Sequence, residues 1–139
     1  MKSDRAQPVS RPTPLGPFRY VVVIGCAAAI LAASIVAPGD GVPRTMGIET
    51  TVYFHLVGYA GLAAALGHAA RSADRRTLLL VAAVVTLYGG GIEAVQGPIP
   101  YRTMSGADAA TNAVGAALGT GAWRLLGRRL GARFDTDDG

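Results

Sequence analysis

Residues 91–119 read GIEAVQGPIPYRTMSGADAATNAVGAALG. One apolar run ends there, a proline-rich break follows, and another apolar run begins. Glu93, Gln96, Arg102, Asp108 and Asn112 stand at the ends of segments otherwise composed for lipid. Polar and ionisable groups are costly to hold beside hydrocarbon, so by default they mark a site. Gly97-Pro98-Ile99-Pro100 ends the first run, because proline lacks the backbone donor and restricts the residue before it.

Four apolar runs organise the chain: residues 20–37, 51–70, 77–96 and 107–126. Each has roughly the 20 residues that a helix needs to cross a hydrocarbon core about 30 Å thick. Nothing has the shorter alternating pattern of a membrane strand. The fold expected is therefore all-α, a polytopic membrane protein built as a bundle of four transmembrane helices. Residues 1–18, with Pro8, Pro12, Pro14 and Pro17, read as a flexible cytoplasmic tail. Residues 19–127 form the expected membrane domain, and residues 128–139 a second cytoplasmic tail, basic and then acidic. The first run also fits a signal peptide, but it is long for a signal core and further spans follow, which favours a retained helix.

Half of the 139 residues are hydrophobic and 16% are charged, with a mean hydropathy of +0.34. This balance is too apolar for an ordinary soluble domain and excludes a disordered chain. The net charge of +4 does not point to nucleic acid, because the basic residues form no face with interleaved aromatics. They gather instead at the ends of the apolar runs. Four crossings place 11 of the 13 basic residues on one side and only Arg44 and Arg102 on the other. The positive-inside rule then predicts a plasma-membrane protein with both termini in the cytoplasm.

This topology brings the polar residues to the outer side. His55 and Tyr59 lie four apart, Glu93 and Gln96 three apart, and Asp108 and Asn112 four apart, so each pair shares a helix face. Asn112, Gly115 and Gly119 continue one stripe, whose Gly115-x-x-x-Gly119 spacing lets another helix approach closely. Gly58 and Gly61 suggest the same for the second helix, and Gly89-Gly90-Gly91 suggests a bend or a close contact in the third. Ser105 or Asp108 can cap the fourth helix. His68 reads as interfacial, beside Arg71.

Two readings of the cluster stand. Arg102 and Glu93 can form a bidentate clasp between the third and fourth helices, or the whole group can form a ligand or catalytic site. No cofactor is implied. No metal site is expected, because His55 with carboxylates supplies too few placed ligands. The single cysteine, Cys26, lies inside an apolar run and reads as packing, so no disulfide framework exists.

His55 and Tyr59, followed by Glu93, Gln96, Pro100, Arg102, Ser105, Asp108, Asn112, Gly115 and Gly119, resemble the pattern of the VanZ-like family of small integral membrane proteins. The likeness runs from Glu49 to Trp123. The family often carries an Asp-Lys pair about a turn before the histidine, where this chain has Thr51-Val52, with Glu49 slightly upstream. The resemblance implies a four-helix membrane protein. Its name-giving members are associated with resistance to the glycopeptide teicoplanin, a property not carried over here, since no residue pattern indicates a glycopeptide partner.

From these residues the leading expectation is an envelope protein that recognises a polar or anionic lipid head group, or a lipid-linked envelope precursor. Arg102 would meet phosphate or carboxylate, Glu93 and Asp108 would orient it, and His55 and Tyr59 would form hydrogen-bonding walls. Alternatives are an enzyme on a lipid-linked substrate with Glu93 or His55 as general base, and a small proton-coupled transporter. The outer rather than mid-membrane position of the charges argues against the transporter.

Overall fold

The glycines and prolines between the apolar runs mark where helix gives way to turn, and the runs themselves become four helices. A computed structural model describes residues 18–35, 44–46, 48–98 and 106–134, with no side-chain description at 44, 48, 128 and 130–134. The helices are α1 (Phe18–Ile35), α2 (Thr50–Ala70), α3 (Arg75–Gln96) and α4 (Gly106–Phe134). Between α1 and α2 lies an antiparallel ladder of two residues per strand, β1 (Arg44–Thr45) and β2 (Ile48–Glu49), which pairs Arg44 with Glu49 and Thr45 with Ile48. Met46 turns this link with a φ of 54°.

α4 extends to Phe134, eight residues beyond the expected end at Leu126 and into the expected tail. Arginine and leucine are good helix formers, and Gly127 and Gly131 cost only about 1 kcal/mol each. α2 ends on Arg71, whose left-handed φ of 51° turns its N–H back to the His68 carbonyl.

Asp74 starts α3. Its carboxylate accepts from the Thr77 N–H at 3.0 Å and from the Ser72 hydroxyl, and its own N–H donates to Ser72 Oγ at 3.2 Å. The Ser72 hydroxyl, then the Thr77 donors, hold this carboxyl well below the usual carboxylate range. A lowered folded pKa stabilises the fold fully above the ordinary value of about 3.9. That contribution fades below it and vanishes as pH falls through the lowered value. Asp74→Ala should therefore speed hydrogen exchange in the first turn of α3 at neutral pH, and the difference from wild type should disappear in strong acid. Equal exchange at neutral pH would remove the cap from the account.

Contacts along the helices set their directions. Ala27 meets Tyr88 and Ser34 meets Gln96, so α1 and α3 run the same way. His55 meets Asn112 and Gly67 meets Trp123, so α2 and α4 run together in the opposite sense. α2 packs most extensively against α4. The reason is the glycine stripe: Gly115 lies against Leu56 and Tyr59, and Gly119 against the Ala60 backbone. Gly58 makes ordinary contact with Ile30 of α1, whereas Gly61, expected to pack, faces open space.

The core joins Tyr59, Leu62, Ala63, Val81, Val85 and Ala116, with Cys26 half-buried against it. α1 buries none of its residues fully. Large apolar side chains also cover much of the exterior, and a few polar groups lie inside. Leu79, Leu80, Val84, Leu87 and Val95 of α3 lie outside, Leu87 at 74% exposure, while Asn112 is 0% exposed and Glu93 6%. Extended exposed apolar faces mark surfaces that meet a partner or a membrane.

Two helices, α1 and α3, are long and apolar enough to cross a membrane by length and composition. The expectation was four. α2 and α4 fall short because they carry both histidines, many glycines and polar residues such as Asn112 and Thr120.

Candidate functional site

The polar residues converge where α2, α3 and α4 meet, at the end of the bundle bearing Thr50, Gln96 and Gly106. Asn112 lies at the centre, wholly buried. Its Nδ2 donates to Glu93 Oε1 at 3.3 Å, and its Oδ1 lies 2.8 Å from His55 Nδ1. One amide thus links a carboxylate on α3 to an imidazole on α2.

The chemistry of the groups orders this relay. An ionised carboxylate only accepts, so with Glu93 ionised the amide nitrogen must face it. The amide oxygen then faces His55, whose Nδ1 must carry the hydrogen. In neutral imidazole this leaves Nε2 as the acceptor. Buried polar groups are tolerated when each bond is made, which is what the relay provides.

Tyr59, one turn beyond His55, is 2% exposed and stacks with it, ring centroids 6.0 Å apart at 28°. Space for the arrangement comes from Gly89. A Cβ there would stand 2.8 Å from Asn112 Nδ2 and 2.9 Å from Tyr59 Cε1. The close-contact reading of the glycine triplet therefore applies to Gly89, while Gly90 and Gly91 face open space. Gly89→Ala should displace the relay and lower the melting temperature in detergent, by about 1–3 kcal/mol of stability; an unchanged melt would contradict the contact.

Gln96 has a different role from the one its spacing suggested. It is buried, but its Nε2 donates to the Ser34 carbonyl of α1 at 2.6 Å and makes no described bond to the relay. Tyr88 makes a parallel tie, its hydroxyl donating to the Ala27 carbonyl at 2.7 Å. The two bonds hold α1 against α3. Asp108 is half-buried in the first turn of α4, past the cap position, where its charge suits the helix dipole. Arg102 and Ser105, and with them the expected Arg102–Glu93 clasp, lie outside the described residues. Glu49 precedes α2 without capping it through its side chain.

His55 and Tyr59 also line a cavity of about 540 Å³ between α1 and α2. Its walls are mostly apolar, from Ala29, Ile30, Ala33 and Phe54, with Ser34 and Thr51 polar. Sequence reading missed this cavity. The only local signal was Ser34 near the end of an apolar helix, and nothing local says that α1 stands off from α2.

At the opposite end, His68 is exposed and meets Trp123 edge-on, 4.9 Å between centroids, and Trp123 Nε1 donates to the Ser72 carbonyl at 3.0 Å. This fastens α4 to the α2–α3 turn. Comparisons of the chain with protein-family models, with curated proteins and with solved structures find no match.

Proposed function

We propose that this chain is a VanZ-like, four-span protein of the plasma membrane that recognises the polar head group of a lipid or lipid-linked envelope precursor at the outer leaflet. The observation that carries this reading is the relay from Glu93 through Asn112 to His55, which ends on a side chain lining the α1–α2 cavity. A cavity with apolar walls and a few polar groups suits an amphipathic ligand: chain against Ile30 and Phe54, head group towards His55, Thr51 and Ser34. Arg102 is the anion-binding partner in this proposal, for which its planar fork is suited.

Several features support four spans. α2 has 21 residues and α4 has 29, enough to cross about 30 Å of hydrocarbon. Asn112 and Thr120 of α4 are buried within the bundle, while lipid would meet Phe54, Val57, Val114 and Leu118. The 11-to-2 distribution of basic residues supports cytoplasmic termini.

Native mass spectrometry of protein purified in mild detergent tests the proposal. Wild type should retain a defined lipid, and His55→Ala and Arg102→Ala should each lose it while keeping wild-type helicity. Arg102→Lys should weaken retention although the charge is kept. Identical lipid content in all four proteins would refute the head-group site.

The relay favours one second reading, an enzyme on a lipid-linked substrate. A histidine whose Nδ1 is engaged by an oriented partner presents Nε2 as a general base. In that case His55→Gln should abolish turnover of the retained lipid without abolishing its retention; loss of both together would favour binding alone.

A further inference from the structure

The end of the bundle opposite the relay carries a groove that the head-group reading does not use. It lies between α3 and α4, about 220 Å³ in volume. Arg75 opens α3 at its mouth, and Arg124 stands opposite on α4. From these cations the groove runs towards the bundle middle along Leu78, Leu79, Ala82 and Ala117. Charge at one end and hydrocarbon along the length suits an anionic head group with the first part of one acyl chain.

Arg75 is exposed and Arg124 half-buried. Arg124 Nε is buried with no hydrogen-bond partner among the described residues. Asp74 is adjacent to Arg75 in sequence, but its carboxylate is taken up by Ser72 and the Thr77 N–H. Thr120, on the groove wall, turns its hydroxyl back to the Ala116 and Ala117 carbonyls and offers no competing charge. Two guanidinium groups on one groove repel each other until an anion joins them, and phosphate suits their planar donors.

We propose that this groove binds an anionic phospholipid of the cytoplasmic leaflet, its phosphate between Arg75 and Arg124 and one acyl chain along Leu78, Leu79 and Ala82. Basic pockets between membrane helices on this side are where anionic head groups bind. The site rests on the membrane reading above but not on the relay.

The test is native mass spectrometry in neutral detergent, with phosphatidylglycerol, phosphatidylcholine and inorganic phosphate added in turn. Wild type should take up one phosphatidylglycerol in preference to phosphatidylcholine. Arg75→Gln and Arg124→Gln should each weaken this uptake about fivefold, the effect of one basic residue at an anionic surface. Arg75 is exposed, so its variant serves even where Arg124→Gln fails to fold. Equal uptake of the two lipids, or undiminished uptake in the Arg75 variant, overturns the proposal. So does binding of inorganic phosphate without lipid preference, which would make this a free-anion site. Release of the chain from membranes by alkaline carbonate would defeat the membrane reading as well; membrane retention without lipid preference defeats the groove alone. Loss of the outer ligand in His55→Ala, with phosphatidylglycerol still bound, separates the two sites.

Discussion

Gly119→Ala is expected to part α2 from α4 and cost about 3 kcal/mol or more. A Cβ at this position falls on the Ala60 carbonyl oxygen and lies 2.8 Å from the Ala60 carbonyl carbon and 2.9 Å from its Cα. The obstacle is backbone, which no rotamer change can move, so the helices themselves must shift. Overpacking a tight site typically costs about 1–3 kcal/mol and sometimes more. Within lipid, helix association relies on close packing, because the tails are as apolar as the side chains. Gly115 repeats the constraint one turn earlier, 2.7 Å from the Leu56 carbonyl oxygen to a built Cβ. Thermal unfolding in detergent, followed by circular dichroism, measures the effect. Gly61→Ala is the control: it meets nothing within 4 Å, and its melt should rise or stay level, because alanine is favoured over glycine by about 1 kcal/mol in a helix. If Gly119→Ala melts like wild type, the α2–α4 contact is wrong.

Asn112→Ala should have the second largest effect, about 3 kcal/mol, by taking a donor from Glu93 and an acceptor from His55 in one step. Leaving a buried polar group unsatisfied costs about 1–3 kcal/mol, and more when it is charged. The substitution also opens a cavity at a fully buried position. A double-mutant cycle separates the network from simple packing. If Asn112 acts through Glu93, then Asn112→Ala combined with Glu93→Gln should depart from additivity by about 0.5–3 kcal/mol. Additive losses would show that the 3.3 Å bond carries no coupling. Asn112→Asp is the harsher variant, since it sets two carboxylates face to face.

Much of the site was legible because few polar residues interrupt the apolar runs. Glu93, Asn112 and His55 stood out because each is expensive where it lies, and the crossing count put them at one end. What spacing could not assign was partnership. Gln96 shares a face with Glu93, yet it bonds to a carbonyl of α1, because a long amide at a helix end reaches whichever helix lies alongside. Asn112 looked like one member of a cluster and turned out to be its centre, because only its position lies between α2 and α3. Gly58 and Gly61 looked alike in sequence, but one meets Ile30 and the other open space.

By itself the sequence determined four helices, the break after the third at Gly97-Pro98, and the glycine stripe on α4. These follow from local chemistry: proline without a donor, and a period that repeats on one helix face. The tertiary structure alone decided that α2 and α4 are the close pair, that one amide joins Glu93 to His55, and that α1 leaves a cavity beside them. Those outcomes depend on which faces oppose one another, and helix periodicity defines a face without naming its neighbour.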